Sequence, residues 1–398
     1  MSTTARHDPE NRLARAGLAD ASRRLRLAIE RASRGLVERE LVVELVVLAA
    51  VAREHLLVIG PPGTAKSEAV RRVARGIDGR VFEYLVGRFT EPSEIFGAVD
   101  LQKLRAGRVE TDTHGMLPEA DLAFLDEVFL GSTAILNSLL GVLNERRFRR
   151  GHSDIACPLR VCVGASNALP EDPTLAAFAD RFLLHVFVQP IPDPALEDLL
   201  AAGASLQRDA LGPPPASVAD IDVLVEAARV ADTSALRPRL AEVVRTLRDA
   251  GIALTDRRIV KAQALTAAAA VLAGRADPTP ADLWPLLYVV PSAEGQALAR
   301  DALREVFAHA HNPALPAAAL DASQGPHARA ERIARLGEAL LAEVPSAAGA
   351  DGRDALRAWR LRVEGIAREI DASFAADARP APIATLRARI VKVLGDSA

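Results

Sequence analysis

Residues 11 to about 54 place apolar side chains at three-to-four spacing among Leu, Ala, Arg and Glu, a pattern that predicts helix. At "HLLVIG" the rhythm breaks into a short continuous apolar run closed by glycine, as in a buried strand. From there to about residue 190 the pattern alternates. "HLLVI", "RVFEYLV", "LAFLDE", "RVCVGAS" and "LLHVFV" are strand candidates, each bounded by helical or turn-forming sequence. Such alternation predicts an α/β layered domain with a mostly parallel sheet. Prolines in "QPIPDPALEDLL" end it, and the remainder is alanine- and leucine-rich without a convincing strand. After "GPPPAS", helical segments run through "YVVPS" near residue 292. Further amphipathic pieces follow, among them "EGQALARDALREVFAHA", "ARAERIARLGEALLAEV" and "GRDALRAWRLRVEGIAREIDASFA", separated by "HNPALPAAALDASQGP" and "PSAAGADG". No internal repeat emerges.

Composition narrows the picture modestly. At 398 residues the chain can bury two or three cores. Lys and Arg number 49 against 52 Asp and Glu, and no lysine-rich tail occurs, which weighs against nucleic acid held by bulk charge. The start lacks the layout of a signal peptide. The longest apolar stretch, "LVVELVVLAAVA", is interrupted by Glu44 and too short to span a bilayer. The two cysteines, Cys157 and Cys162, lack zinc-site spacing and read as buried small hydrophobes. A cytoplasmic location is the default expectation.

The candidate chemistry sits at strand ends. "HLLVI", "GPPGTAKS" and "SEAVRRVARGI" form a strand, a loop and an amphipathic helix, the setting of a phosphate-binding loop. Residues Gly60, Pro61, Pro62, Gly63, Thr64, Ala65, Lys66 and Ser67 would cradle phosphates with backbone N–H groups. Lys66 would reach the β- and γ-phosphates, and Ser67 would ligate Mg²⁺. Ala65 stands where the general pattern has glycine, which a loop accepts if the backbone there is not left-handed. The alternative is a plain strand-to-helix turn. "LAFLDEV" delivers Asp126 and Glu127 at a strand end, to hold Mg²⁺ and polarise water respectively. "RVCVGASN" ends on Asn167, which could orient the lytic water or simply form a turn. Arg181, in "FADRFLLHVFV", is either a surface charge or a group that reaches a neighbouring subunit's nucleotide.

Together these residues resemble the AAA+ ATPases, specifically the MoxR family and its RavA-like branch, over about residues 30 to 292. The markers are "GPPGTAKS", "FEYLVGRFTEPSEIFG", "GMLPEADLAFLDEV", "AILNSLLGVLNERRFR", "GASNALPE" and "DRFLLHVFV". Alanine at position 65 is a feature of that family's loop. The resemblance implies a P-loop αβα sandwich, an α-helical lid and an all-helical C-terminal region. The expected divisions are 1–34 (helical segment), 35–190 (nucleotide-binding domain), 191–292 (lid) and 293–398 (C-terminal helices). It also implies that Lys66 and Ser67 are the Walker A pair, Asp126 and Glu127 the Walker B pair, and Asn167 sensor 1. Arg181 would be an arginine finger acting in trans, and Arg257 the sensor 2 arginine, with Arg258 adjacent. "AVDLQKLRAGRVETDTH" shows alternation about Arg105-Ala106-Gly107 as a hairpin would, and resembles the helix 2 insert of this clade. "RRFRRGHSDIACP" resembles the hairpin before sensor 1.

The implied function is Mg²⁺-dependent ATP hydrolysis by a hexameric ring that remodels or matures a protein client. A partner bearing a von Willebrand factor A domain would accompany it. Two competing classes are a nucleic-acid translocase, against which the neutral charge counts, and a scaffold that uses ATP only to hold its assembly.

Overall fold

The computed structural model describes residues 9–191, 195–206, 212–324, 333–334, 337–342, 345, 350–373 and 381–395. Two compact units emerge, one of residues 1–189 and 210–323, the other of residues 190–209 and 324–398.

The first unit opens with helices α1 (Pro9–Ser33) and α2 (Glu40–Ala52). The alternating region then supplies β1 (Leu56–Ile59), α3 (Lys66–Gly76), β2 (Val81–Leu85), α4 (Pro92–Phe96) and α5 (Leu101–Arg105). It continues with β3 (Leu122–Asp126), α6 (Thr133–Glu145), β4 (Arg147–Arg150) and β5 (Ser153–Ala156), then β6 (Val161–Ser166), α7 (Pro173–Ala179) and β7 (Leu184–Phe187). Five of these strands form a parallel sheet in the order β2-β3-β6-β1-β7. Because the sheet is covered on both faces, β1 and β6 are buried at every position, which is why they read as continuous apolar runs.

Successive side chains still part to opposite faces. Leu56, Val58, Phe124 and Val163 join one core with α1, α2 and α3. Leu57, Ile59, Leu125 and Cys162 join another with Phe96, Leu139, Phe148 and Phe182. Both cysteines are free and buried, and burial pushes their thiols up to about 11 for Cys157 and about 12 for Cys162.

After α8 (Leu196–Leu206), which belongs to the second unit, the first unit resumes with α9 (Val218–Val230), α10 (Arg237–Asp249) and α11 (Asp256–Leu272). It closes with α12 (Leu286–Val289), α13 (Ala293–Ala302), α14 (Arg304–Phe307) and α15 (Pro316–Ser323). Helix α2 packs against α3, α9, α11 and α15 and is buried from Val42 to Ala52. The division expected at residue 292 therefore lies elsewhere. Ala299, Leu303, Phe307, Leu315 and Ala318 bury their side chains in the core that holds β1. A break at 292 would cut through that core.

The hairpin expected about Arg105-Ala106-Gly107 is also corrected. Asp100 accepts from the N–H groups of Gln102 and Lys103 and so starts the short helix α5. One antiparallel bridge, Val99 to Thr111, closes the excursion. The basic hairpin β4–β5 forms with Arg147 opposite Ala156 and Arg150 opposite Ser153.

In the second unit the described elements are helices, with Ala350–Ser373 and Ala381–Gly395 the longest pieces. Trp359, Val363, Ile366, Ile370, Ile383, Leu386 and Ile390 form its core. Trp359 donates its indole N–H to the Leu340 carbonyl at 2.7 Å. Among the described residues, no helix is long and apolar enough to cross a membrane.

Candidate nucleotide site

Parallel register brings the strand tips together. Ile59 lies opposite Ser166, and Leu85 opposite Asp126, so the loop after β1, Asp126-Glu127 and Asn167 share the C-terminal edge of the sheet. In open α/β sheets that edge is where ligands bind.

The loop is tightly constrained. Gly60 donates to the Ser166 carbonyl at 3.0 Å, and a Cβ at position 60 would sit 2.3 Å from the Val188 oxygen, so only glycine fits. The Thr64 hydroxyl donates to the Pro61 carbonyl at 2.9 Å. Lys66 folds back, its ammonium donating to the carbonyls of Gly60 (2.8 Å) and Pro61 (3.0 Å). Burial lowers the Lys66 pKa, while the carboxylates of Asp126 and Glu127 act in the opposite sense. Ser67 stands in the first turn of α3, beside the Arg71 guanidinium at 3.5 Å.

Ala65 departs from expectation: its backbone is left-handed, with φ 57° and ψ 25°. For a residue with a Cβ this costs about 1–2 kcal/mol. Glu127 is left-handed too, at φ 50°. Two non-glycine residues held in that region at one site mark strain that the surroundings maintain.

The acidic pair sits across from the loop. Asp126 ends β3 and accepts from the Glu127 N–H at 3.1 Å. The Asn167 amide donates to the Glu127 carboxylate at 2.7 Å. Burial, then the neighbouring Asp126, raises the Glu127 pKa. The donor set suits a nucleoside triphosphate with its cation: backbone N–H groups, one ammonium, one hydroxyl and two carboxylates. Among the described residues no group of three or more His, Cys, Asp or Glu could hold a metal alone. A cation at Ser67 and Asp126 would thus share its shell with phosphate.

Arg181 and Arg257 both lie away from the phosphate loop of their own subunit. Arg181 precedes β7, and the Leu184 N–H donates to the His55 carbonyl, so Arg181 is at the N-terminal edge of the sheet. Roughly 13 Å of strand separates the two edges. Arg181 is half-buried, and its Nε has no hydrogen-bond partner among the described residues.

Arg257 stands at the same edge as Arg181. It bonds the Asn144 side chain at 2.6 Å, next to Leu143, whose carbonyl meets His55. One turn further along α11, Lys261 pairs with Glu54 at 2.5 Å. The start of α11 is therefore at the edge opposite the phosphate loop, and Arg257 does not reach the phosphates of its own subunit. Arg258 is buried at 2% exposure. It bonds Asp180 (2.7 Å), the carbonyls of Phe182, Leu183 and Val289, and His185. It is fully engaged in the frame, and burial together with Arg258 pushes His185 down to about 4.

Sequence reading missed Arg39, which donates to the Thr64 carbonyl from behind the loop at 2.8 Å. In "LVERELV" it reads as one more solvated charge, and no local pattern marks it.

Comparison with known proteins bears on the family and the fold. A family model described as "MoxR domain in the MoxR-vWA-beta-propeller ternary systems" matches residues 23–225. Two uncharacterised proteins of Methanocaldococcus jannaschii are each 34% identical, over 255 and 254 residues. Those matches cover 63% and 64% of this chain and 68% and 66% of the relatives. The Chaperone MoxR1 of Mycobacterium tuberculosis is 28% identical over 194 residues, 48% of this chain and 51% of that protein. A solved structure of a candidate ATPase from Cytophaga hutchinsonii shares the fold at a TM-score of 0.62. It is 15% identical, covering 77% of this chain and 99% of that one.

Proposed function

The chain belongs to the MoxR family of AAA+ ATPases, and from that premise we propose that it hydrolyses ATP at this loop, within a ring, to remodel a protein client. The observation that carries the reading is the convergence of Lys66, Asp126, Glu127 and Asn167 at one edge of the sheet, with Asn167 bonded to Glu127.

The loop N–H groups and the start of α3 bind the phosphates, and Lys66 exchanges the Gly60 and Pro61 carbonyls for phosphate oxygens. Ser67 and Asp126 would hold Mg²⁺, which supplies neutralisation of charge on the β- and γ-phosphates. Glu127 orients the attacking water and accepts its proton. In the structure its carboxylate is taken up by Asn167. A γ-phosphate that draws the Asn167 amide to itself releases Glu127 to the water.

The ring reading rests on the arginines. Arg181 and Arg257 lie at the edge away from their own phosphate loop, and the Arg181 Nε is without a partner among the described residues. In the ring we propose, Arg181 serves a neighbouring copy's nucleotide as finger and Arg257 serves it as sensor 2. A hexamer and a RavA-like character follow from family resemblance, and a von Willebrand factor A partner from the family model's description.

The test is ATPase activity of the full chain with and without Mg²⁺. It is then repeated with a von Willebrand factor A protein or with single-stranded DNA added. Hydrolysis that needs Mg²⁺ and rises with the protein partner is expected. Stimulation by DNA alone would favour a translocase, and absence of hydrolysis in assembled rings a scaffold.

A further inference from the structure

Arg39 is 5% exposed, and its guanidinium bonds three carbonyl oxygens: Thr64 from Nε at 2.8 Å, Gln189 from Nη2 at 2.8 Å and Glu38 from Nη1 at 2.6 Å. Its bonded partners are carbonyl oxygens rather than carboxylates, and burial lowers its pKa while Glu38 and Glu40 act in the opposite sense. A buried cation without a bonded anion is a costly way to make a structural tie. Its charge is felt at the site, where it helps to lower the Lys66 pKa.

The Thr64 oxygen that Arg39 holds belongs to the peptide joining Thr64 to Ala65. In a trans peptide the C=O and N–H point in opposite directions, and the described chain has no cis bonds. Anchoring the Thr64 oxygen on Arg39 therefore turns the Ala65 N–H to the far side of the peptide, away from Arg39. The next torsion is the left-handed φ of Ala65, which an alanine holds only under restraint. Without the anchor the peptide can rotate, Ala65 can relax to the right-handed region, and its N–H swings away. A glycine at this position would not need the clamp.

Resting on the nucleotide reading above, we infer that Arg39 is a positioning residue for the phosphate loop. It clamps the Thr64–Ala65 peptide so that the Ala65 N–H faces phosphate. It also ties that clamp to Gln189, just beyond β7.

The test uses the full chain and measures the ADP dissociation constant together with kcat and KM for ATP. Arg39→Ala should weaken ADP about 10- to 100-fold, the size expected for a lost charged hydrogen bond, and raise KM more than it lowers kcat. Arg39→Lys, which can reach fewer of the carbonyls, should fall between. Ala65→Gly should change little by itself, yet recover most of the loss in the Arg39→Ala/Ala65→Gly and Arg39→Lys/Ala65→Gly doubles. A merely structural arginine would give losses that follow the melting temperature and no recovery.

Asn312→Ala is the control for stability. Asn312 is 1% exposed, holds the Ala269 carbonyl at 2.8 Å and caps the Ala314 and Leu315 N–H groups. It should lower the melting temperature with ADP affinity intact. Wild-type ADP affinity in the Arg39 variants, or doubles as weak as the single variants, would overturn the inference. If Arg39→Ala does not fold, the Arg39→Lys pair decides alone. Wild-type affinity in Lys66→Ala would instead sink the nucleotide reading.

Discussion

In the proposed site Lys66 and Glu127 act at different moments, and substitution separates them. Lys66 is the one ammonium at the loop, so Lys66→Ala should cost ATP affinity about 100-fold or more, as for loss of charged bonds to two phosphates. Glu127→Gln keeps an oxygen for the Asn167 amide and should bind ATP within about threefold of wild type. It should nevertheless hydrolyse about 100-fold more slowly, because an amide cannot take the proton. Titration calorimetry and single-turnover hydrolysis read the two effects apart; equal losses in both assays for Glu127→Gln would remove it from the chemistry. These residues were legible in the sequence because phosphate and cation chemistry fixes residue types at set distances after a strand. Arg39 was not, since its partners are backbone carbonyls of residues 64 and 189, which impose no residue type. The position of Arg257 was not legible for a related reason. "TDRRIVKA" describes a helix start but carries no information about which edge of the sheet that start abuts.

Among the elements, Glu44 shows how a helix far along the chain is held to the nucleotide-binding core. It projects from α2, is 3% exposed, and accepts from the Ala317 N–H at 3.1 Å and the Ala318 N–H at 2.7 Å, capping the start of α15. Burial is the largest influence on it and raises its pKa from 4.5 to about 8, against the pull of the two N–H groups. The folded protein thus binds this proton more tightly than the unfolded chain. The resulting stability is fully present below about pH 4.5 and is lost as pH rises through about 8. The effect is on the order of a few kcal/mol. Glu44→Gln cannot titrate, so its melting temperature should fall less than the wild type's across that window. Parallel curves would show that Glu44 does not titrate there. The sequence showed Glu44 only as an interruption in an apolar run. The five strands, in contrast, were legible because strands buried on both faces become apolar throughout. The excursion at 99–111 misled because two flanking bits of alternation suggest strands, whereas the Asp100 cap decides for helix. Helices α13 to α15 could not be assigned to a core from pattern alone, since an amphipathic stripe does not say which surface it meets.

At the scale of the whole molecule, the unit boundary and the subunit boundary each make a prediction. Residues 293–323 complete the core around β1, so a chain ending at Ser323 should retain ATP affinity. One ending at residue 292 should lose it through unfolding, visible as a broad, early melt. Equal melts for the two truncations would detach α13–α15 from that core. The proposed subunit boundary turns on Arg181, at the edge of the sheet opposite its own loop. A cation supplied across a subunit boundary stabilises charge on the transferring phosphoryl and contributes about 10³-fold or more in rate in the best-studied cases. Arg181→Ala should therefore bind ATP nearly as the wild type does and hydrolyse it poorly. Lys66→Ala fails for the opposite reason, having the arginine but no competent loop. In a ring of mixed subunits, some interfaces pair an intact loop with an intact Arg181 from the neighbour. Mixing the two inactive proteins should then restore part of the activity, rising with the fraction of mixed rings measured by mass spectrometry. Mixed rings without recovery would show that Arg181 serves its own subunit's frame and not the neighbour's phosphate. Among the described residues the Arg181 Nε has no hydrogen-bond partner, in contrast to Arg258, whose guanidinium is saturated by the frame.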